Sequence, residues 1–87
     1  MYFDDIAAVP HTRRPSRQLS PQRAFGERVR ALRLAAGMTQ EDLSERCGLF
    51  RTYMSRIETG KANPTLTMIH ALADSLGVSV IAFFEPS

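Results

Sequence analysis

The sequence predicts an all-α fold, a compact bundle of five short helices, two of them joined by a tight glycine turn. Three observations predict it. Apolar residues recur at three- and four-residue spacing in successive segments, as helices with one buried face require. Glycines close four of these segments, and Ser or Thr stands where most begin, the usual stop and start signals of helices. The connections are all short, which suits neighbouring helices of one domain.

The chain divides into a flexible basic tail over residues 1–19 and a folded domain over 20–87. The tail's stretch HTRRPSRQLSP, running into the start of helix 1, has no repeated apolar face. As a basic arm it would contact DNA backbone; alternatively it packs Tyr2, Phe3 and Ile6 on a partner subunit, or does neither. Helix 1 begins near Pro21 with Ser20 as its cap. Its expected buried face is Phe25, Val29, Leu32 and Ala36, Gly37 ends it, and Met38 packs under the next helix.

Helix 2 covers about 40–47 and helix 3 about 50–58. Thr39 caps helix 2 through its hydroxyl, and Asp42 returns a carboxylate to the cap amide. Gly48 stands at the exit of helix 2, where a left-handed backbone is cheapest for glycine. Leu43, Cys47, Leu49, Met54 and Ile57 form an inward set that neither helix could bury alone. Gly60 ends helix 3, and Asn63-Pro64 forces a turn. Thr65 caps helix 4, about 66–76, whose expected face is Leu66, Ile69, Ala73 and Leu76; Gly77 closes it. Ser79 is placed to cap a last short helix carrying Ile81, Phe83 and Phe84. The stretch VSVIAFF has strand-like propensity, but four preceding helices favour a fifth.

Eighty-seven residues allow one domain. No run approaches eighteen apolar residues, so no membrane partner is expected, and the N-terminus lacks the basic start and apolar stretch of a secretory signal. A cytoplasmic location is expected. The single cysteine, Cys47, permits no intrachain disulfide and reads as a small core residue. His11 and His70 lie too far apart for a zinc site, and no metal or other cofactor is expected. No relay of catalytic residues and no glycine-rich phosphate loop is visible, so the chain does not read as an enzyme. All eleven Arg and Lys residues fall within 1–61, where seven acids leave a balance of +4; residues 62–87 carry −2. A positive first part and a weakly acidic, apolar last part indicate surfaces with different partners.

Helix 3 carries the functional reading. Arg51, Thr52, Ser55 and Arg56 cluster away from Met54 and Ile57, as a helix entering a DNA major groove would need. Arg51 can make a bidentate contact to guanine, and Thr52 offers a hydroxyl and a methyl that fits thymine. Ser55, closer to the helix axis, joins them as a base-contact candidate or allows close approach. Gln40, in the first turn of helix 2, can reach phosphate. Tyr53, Arg56, Lys61 and Asn63 are the further backbone-contact candidates. Glu58 on the DNA side would repel phosphate, so it is expected to turn inward and pair with Arg33. Val78, Val80, Ile81, Phe83 and Phe84 crowd the C-terminal segment and are the candidate homodimer interface; some can close the core, and the remainder would form an exposed patch unless covered by a second subunit.

The segment from Phe25 to Leu76 resembles the Cro/phage-repressor class of helix-turn-helix domains. The likeness runs through Gly26, Val29, Arg30, Leu32 and Arg33, then Gly37, Thr39, Gln40, Glu41, Leu43, Gly48 and Leu49. It continues through Ser55, Ile57, Glu58, Gly60, Asn63, Pro64 and Leu72. RTYMSRIETGKANPTL, followed by a short helix ending in FFE, is similar to the small controller proteins of restriction–modification systems and their stand-alone chromosomal relatives. The resemblance implies a phage-repressor-like five-helix homodimer on a palindromic operator. It implies that Gln40 clamps phosphate, that Arg51 and Thr52 face bases, and that Tyr53 and Ser55 approach backbone or groove edge. It also implies a structural ion pair between Arg33 and Glu58. One departure stands out: Phe50 occupies the helix 3 cap, where the family often has a polar residue. Phenylalanine cannot cap, so helix 3 begins slightly differently or the ring meets a thymine methyl.

These features lead to a transcriptional regulator of double-stranded DNA, nucleoid-associated when bound. The alternative from the same domain is an antitoxin whose last helix or tail holds a toxin protein.

Overall fold

The computed structural model describes residues 20–85; the tail expected over 1–19, with its candidate contacts, lies outside them. Ser20 opens the first helix, α1 (Pro21–Ala35), its hydroxyl accepting from the Arg23 amide at 3.1 Å. Pro21 follows where no amide donor is needed. The buried side of α1 is Phe25, Gly26, Val29 and Arg33. Ala36, expected on that side, is exposed. The helix stops before it, and the inward position one turn after Val29 belongs to Arg33.

The second helix, α2 (Gln40–Cys47), starts from a reciprocal cap. The Thr39 hydroxyl accepts from the Asp42 amide, and Asp42 Oδ2 accepts from the Thr39 amide, both at 2.9 Å. That amide chiefly holds the Asp42 carboxyl below its ordinary range; the Thr39 hydroxyl and the Arg46 charge act in the same direction. Gly48, at φ 73°, turns the chain out of α2, and the Leu49 amide closes the turn on the Ser44 carbonyl at 2.8 Å. The third helix, α3, runs Arg51–Glu58, so the start expected at about residue 50 moves by one and Phe50 stands outside as its cap.

The fourth helix, α4 (Leu66–Leu76), is capped by the Thr65 hydroxyl, which accepts from the Met68 amide at 3.1 Å. Three of the four residues expected on its face are there; the exception is Leu66. Leu66 is 69% exposed, while Leu72 and Ala73 are buried and Ile69 and Leu76 half-buried. Leu66 shares the spacing of that stripe but lies in the first turn, where the stripe runs out. After Gly77 the chain forms a 3-10 turn over Val80–Phe84 instead of a fifth α-helix. Ser79 makes no side-chain cap; only its carbonyl takes part, accepting from the Ala82 amide at 3.0 Å. A strand here would have no neighbour to receive its backbone groups, and the described residues contain none.

The core is one cluster of Phe25, Val29, Leu43, Met54, Ile57, Ala62, Leu72, Ala73 and Phe83, with Leu32, Met38, Cys47, Leu49 and Tyr53 among those packed against it. The helix α1 packs on α3, α4 and the 3-10 turn, while α2 packs on α3 and α4. Phe83 seats on Phe25 with ring centroids 5.1 Å apart. Arg28 Nε donates to the Ala82 carbonyl at 2.9 Å and holds the 3-10 turn to α1. At Gly26 the backbones of α1 and α3 approach so closely that an added Cβ would lie 2.2 Å from the Ile57 carbonyl oxygen. Glycine at this one position sets the distance between the two helices.

Candidate nucleic-acid interface

The inner side of α3 is fixed. Met54 and Ile57 are buried in the core, and Glu58, the last residue of the helix, is held by three hydrogen bonds from two side chains. Arg33 Nε donates to Glu58 Oε2 at 2.7 Å and Arg33 Nη2 to Oε1 at 3.0 Å. Gln40 Nε2 donates to Oε1 at 3.1 Å. The remaining Arg33 nitrogen, Nη1, donates to the Met38 carbonyl at 2.7 Å. One buried carboxylate therefore joins the end of α3 to α1 and to the first turn of α2. Among the described residues no buried side-chain nitrogen or oxygen is left without a partner, the condition under which a buried ion pair is tolerated.

The outer side of α3 presents Arg51, Thr52 and Arg56, all exposed, with Ser55 and Tyr53 half-buried at its flanks. Tyr53 packs its ring on the core. Arg56 Nη2 donates to the Lys61 carbonyl at 2.7 Å, and the Lys61 amide donates to the Arg56 carbonyl at 2.8 Å. These two bonds fold the loop after Gly60 back on the helix, so Lys61 follows α3 closely; Lys61 and Asn63 are both exposed. Thr59 Oγ1 donates to the Ser55 carbonyl at 2.9 Å. Arg51, Thr52, Arg56 and Lys61 thus lie on one helix and its returning loop, with Gln40 anchored through Glu58.

Spacing along the chain gives no sign of the Gln40–Glu58 bond or of the use of Arg33 on Met38. Gln40 and Glu58 are 18 residues apart, and Arg33 and Met38, five apart, meet across the turn that ends α1. The C-terminal candidates separate into two groups. Phe83 is 1% exposed and is the member of the group that closes the core. Val78 and Val80 are half-buried against that core. Ile81 and Phe84 point outward at 65% and 63% exposure, although Phe84 also meets Phe25 at 5.7 Å between ring centroids. Among the described residues there is no cluster of potential metal ligands and no helix long and apolar enough to cross a membrane.

Residues 24–82 match the helix-turn-helix domain family. The control protein C.BamHI of Bacillus amyloliquefaciens is 46% identical over 55 residues, covering 62% of this chain and 68% of that protein. The restriction–modification controller protein C.AhdI of Aeromonas hydrophila superposes with a TM-score of 0.71 at 38% identity, over 72% of this chain and 96% of the other. The controller protein C.Esp1396I, solved as a tetramer in complex with its natural 35-base-pair operator, gives a TM-score of 0.68 at 34% identity. That match covers 77% of this chain and 88% of the other.

Proposed function

The chain belongs to the helix-turn-helix domain family, with restriction–modification controller proteins among its relatives, and from this premise we infer that it is a sequence-specific regulator acting as a homodimer on a palindromic operator. One observation carries the reading. The cationic, polar side of α3 is exposed while the opposite side is locked by Met54, Ile57 and the Glu58 bonds. A helix fixed on one side and free on the other can present side chains to base edges without first being ordered.

The roles follow from reach and chemistry. Arg51 carries a planar fork suited to guanine, and Thr52 a hydroxyl and methyl suited to either kind of edge. Ser55, half-buried, allows the helix to approach closely or adds a hydroxyl bond. Gln40 keeps one amide hydrogen for a phosphate oxygen while the other is held by Glu58. Arg56, Lys61, Asn63 and the Tyr53 hydroxyl serve the backbone and set register. Ile81 and Phe84 supply the apolar patch for a second copy, and C2 symmetry would set two α3 helices about 34 Å apart. The same reading places the protein in the cytoplasm, on the nucleoid when bound. The antitoxin alternative has no specific observation in its favour.

Selection of bound duplexes from a random library, followed by footprinting, tests the proposal. The expected outcome is a pseudo-palindrome with half-sites one helical turn apart. Binding without any sequence preference would overturn it.

A further inference from the structure

Phe50 is the most exposed large hydrophobic residue of the folded part, at 83%, and it stands at the cap of α3 with ordinary cap backbone, φ −75° and ψ 146°. Its carbonyl accepts from the Tyr53 and Met54 amides at 3.0 and 3.1 Å, so the helix start is regular. The side chain makes no capping bond. The other three α-helices all open on a hydroxyl that accepts an amide: Ser20, Thr39 and Thr65. At Phe50 two local preferences are broken at once. A capping residue that would stabilise the helix is missing, and a phenyl ring is left in water. Such a double violation is the mark of a residue kept for something outside its own fold.

Its neighbours indicate what that is. Phe50 immediately precedes the exposed Arg51 and Thr52, at the end of α3 that leads into the proposed DNA face. The apolar group that a major groove presents to such a ring is the C5-methyl of thymine.

We propose that the Phe50 ring reads a thymine methyl in each half-site and is a specificity-determining residue beside Arg51. The proposal rests on the DNA-binding reading of α3, and it assigns Phe50 a base preference that a serine, aspartate or asparagine cap could not supply. Burying one methyl group corresponds to a discrimination of about fourfold per half-site.

The test uses the full-length protein and its selected duplex, with deoxyuridine replacing thymidine at one position after another. Each replacement removes only the 5-methyl. Wild type is expected to lose about fourfold per half-site at one thymine. Phe50→Ser should bind the thymine and uracil duplexes equally while keeping its guanine preference, and its urea midpoint should rise because serine caps the helix. An unchanged thymine-to-uracil ratio in Phe50→Ser would overturn the proposal. So would loss of the ratio in Thr52→Ser but not in Phe50→Ser, which would give the methyl to Thr52. A wedge role is also separable: Phe50→Ser would then reduce DNA bending with no methyl dependence, contrary to the proposal. Failure of the wild-type protein to select any sequence would instead sink the DNA-binding reading itself, and this proposal with it.

Discussion

Arg33 and Glu58 form a two-bond fork, Nε to Oε2 at 2.7 Å and Nη2 to Oε1 at 3.0 Å, with both side chains almost wholly removed from solvent. The pair ties the end of α3 to α1, and Gln40 shares the same carboxylate. Removing one partner leaves the other charged and buried, which typically costs about 3–5 kcal/mol. Glu58→Ala is therefore expected to lower stability to urea by about that amount. The double-mutant cycle with Arg33→Ala should show strong coupling. Zero coupling, together with tighter DNA binding by Glu58→Ala, would mean that the carboxylate acts toward phosphate instead.

Gly26 gives a second stability prediction, independent of charge. An alanine there would place its Cβ 2.2 Å from the Ile57 carbonyl oxygen, and the obstacle is backbone, which cannot swing aside. Gly26→Ala should destabilise by about 1–3 kcal/mol or more although alanine favours helices. A more stable Gly26→Ala protein in thermal denaturation would show that α1 and α3 separate readily.

On DNA, Arg51 and Gln40 should fail in different ways. Arg51→Ala is expected to lose about 1–3 kcal/mol on the selected site and to relax preference at one position per half-site. Gln40→Ala should weaken selected and unrelated duplexes together, because its target is phosphate. Anisotropy titrations over a range of salt measure both. Equal weakening of all sequences by Arg51→Ala would move Arg51 to the backbone.

The division of the C-terminal residues can be checked by mass. Sedimentation at micromolar concentration should give about twice the 9.7 kDa chain, and Ile81→Asp should shift it toward monomer with helicity intact. Phe83→Ala should instead unfold the domain, at a cost of about 3–5 kcal/mol for a buried aromatic. An Ile81→Asp protein that remained dimeric would require a different interface.

The cap of α2 predicts a pH effect. Asp42 titrates below its ordinary 3.8, chiefly because the Thr39 amide donates to it. A carboxyl depressed by folding adds stability above its unfolded value and loses it as pH falls through the folded one. The NMR titration of the Asp42 carboxyl should thus have its midpoint below 3.8, and Thr39→Pro, which removes the amide hydrogen and the hydroxyl together, should raise it. An unchanged midpoint in that variant would assign the shift to Arg46.

The helices of this domain were legible in the sequence because their signals are local. Ser20, Thr39 and Thr65 cap within three residues, Gly48 turns within one, and the apolar spacing of α2 and α3 is complete in each segment. The family likeness was legible for the same reason, being carried by residues at definite offsets. What the tertiary structure decided was where each stripe meets its neighbours: Arg33 takes the inward place expected for Ala36 on α1, and on α4 Leu72 joins the buried face while Leu66 falls outside it. It also decided that Phe83 fills the core while Ile81 and Phe84 do not, and that Gln40 joins the Arg33–Glu58 pair. None of these follows from spacing along one helix. Burial depends on where a second helix crosses, and a carboxylate 18 residues from its amide partner is found only when both are brought to the same crossing.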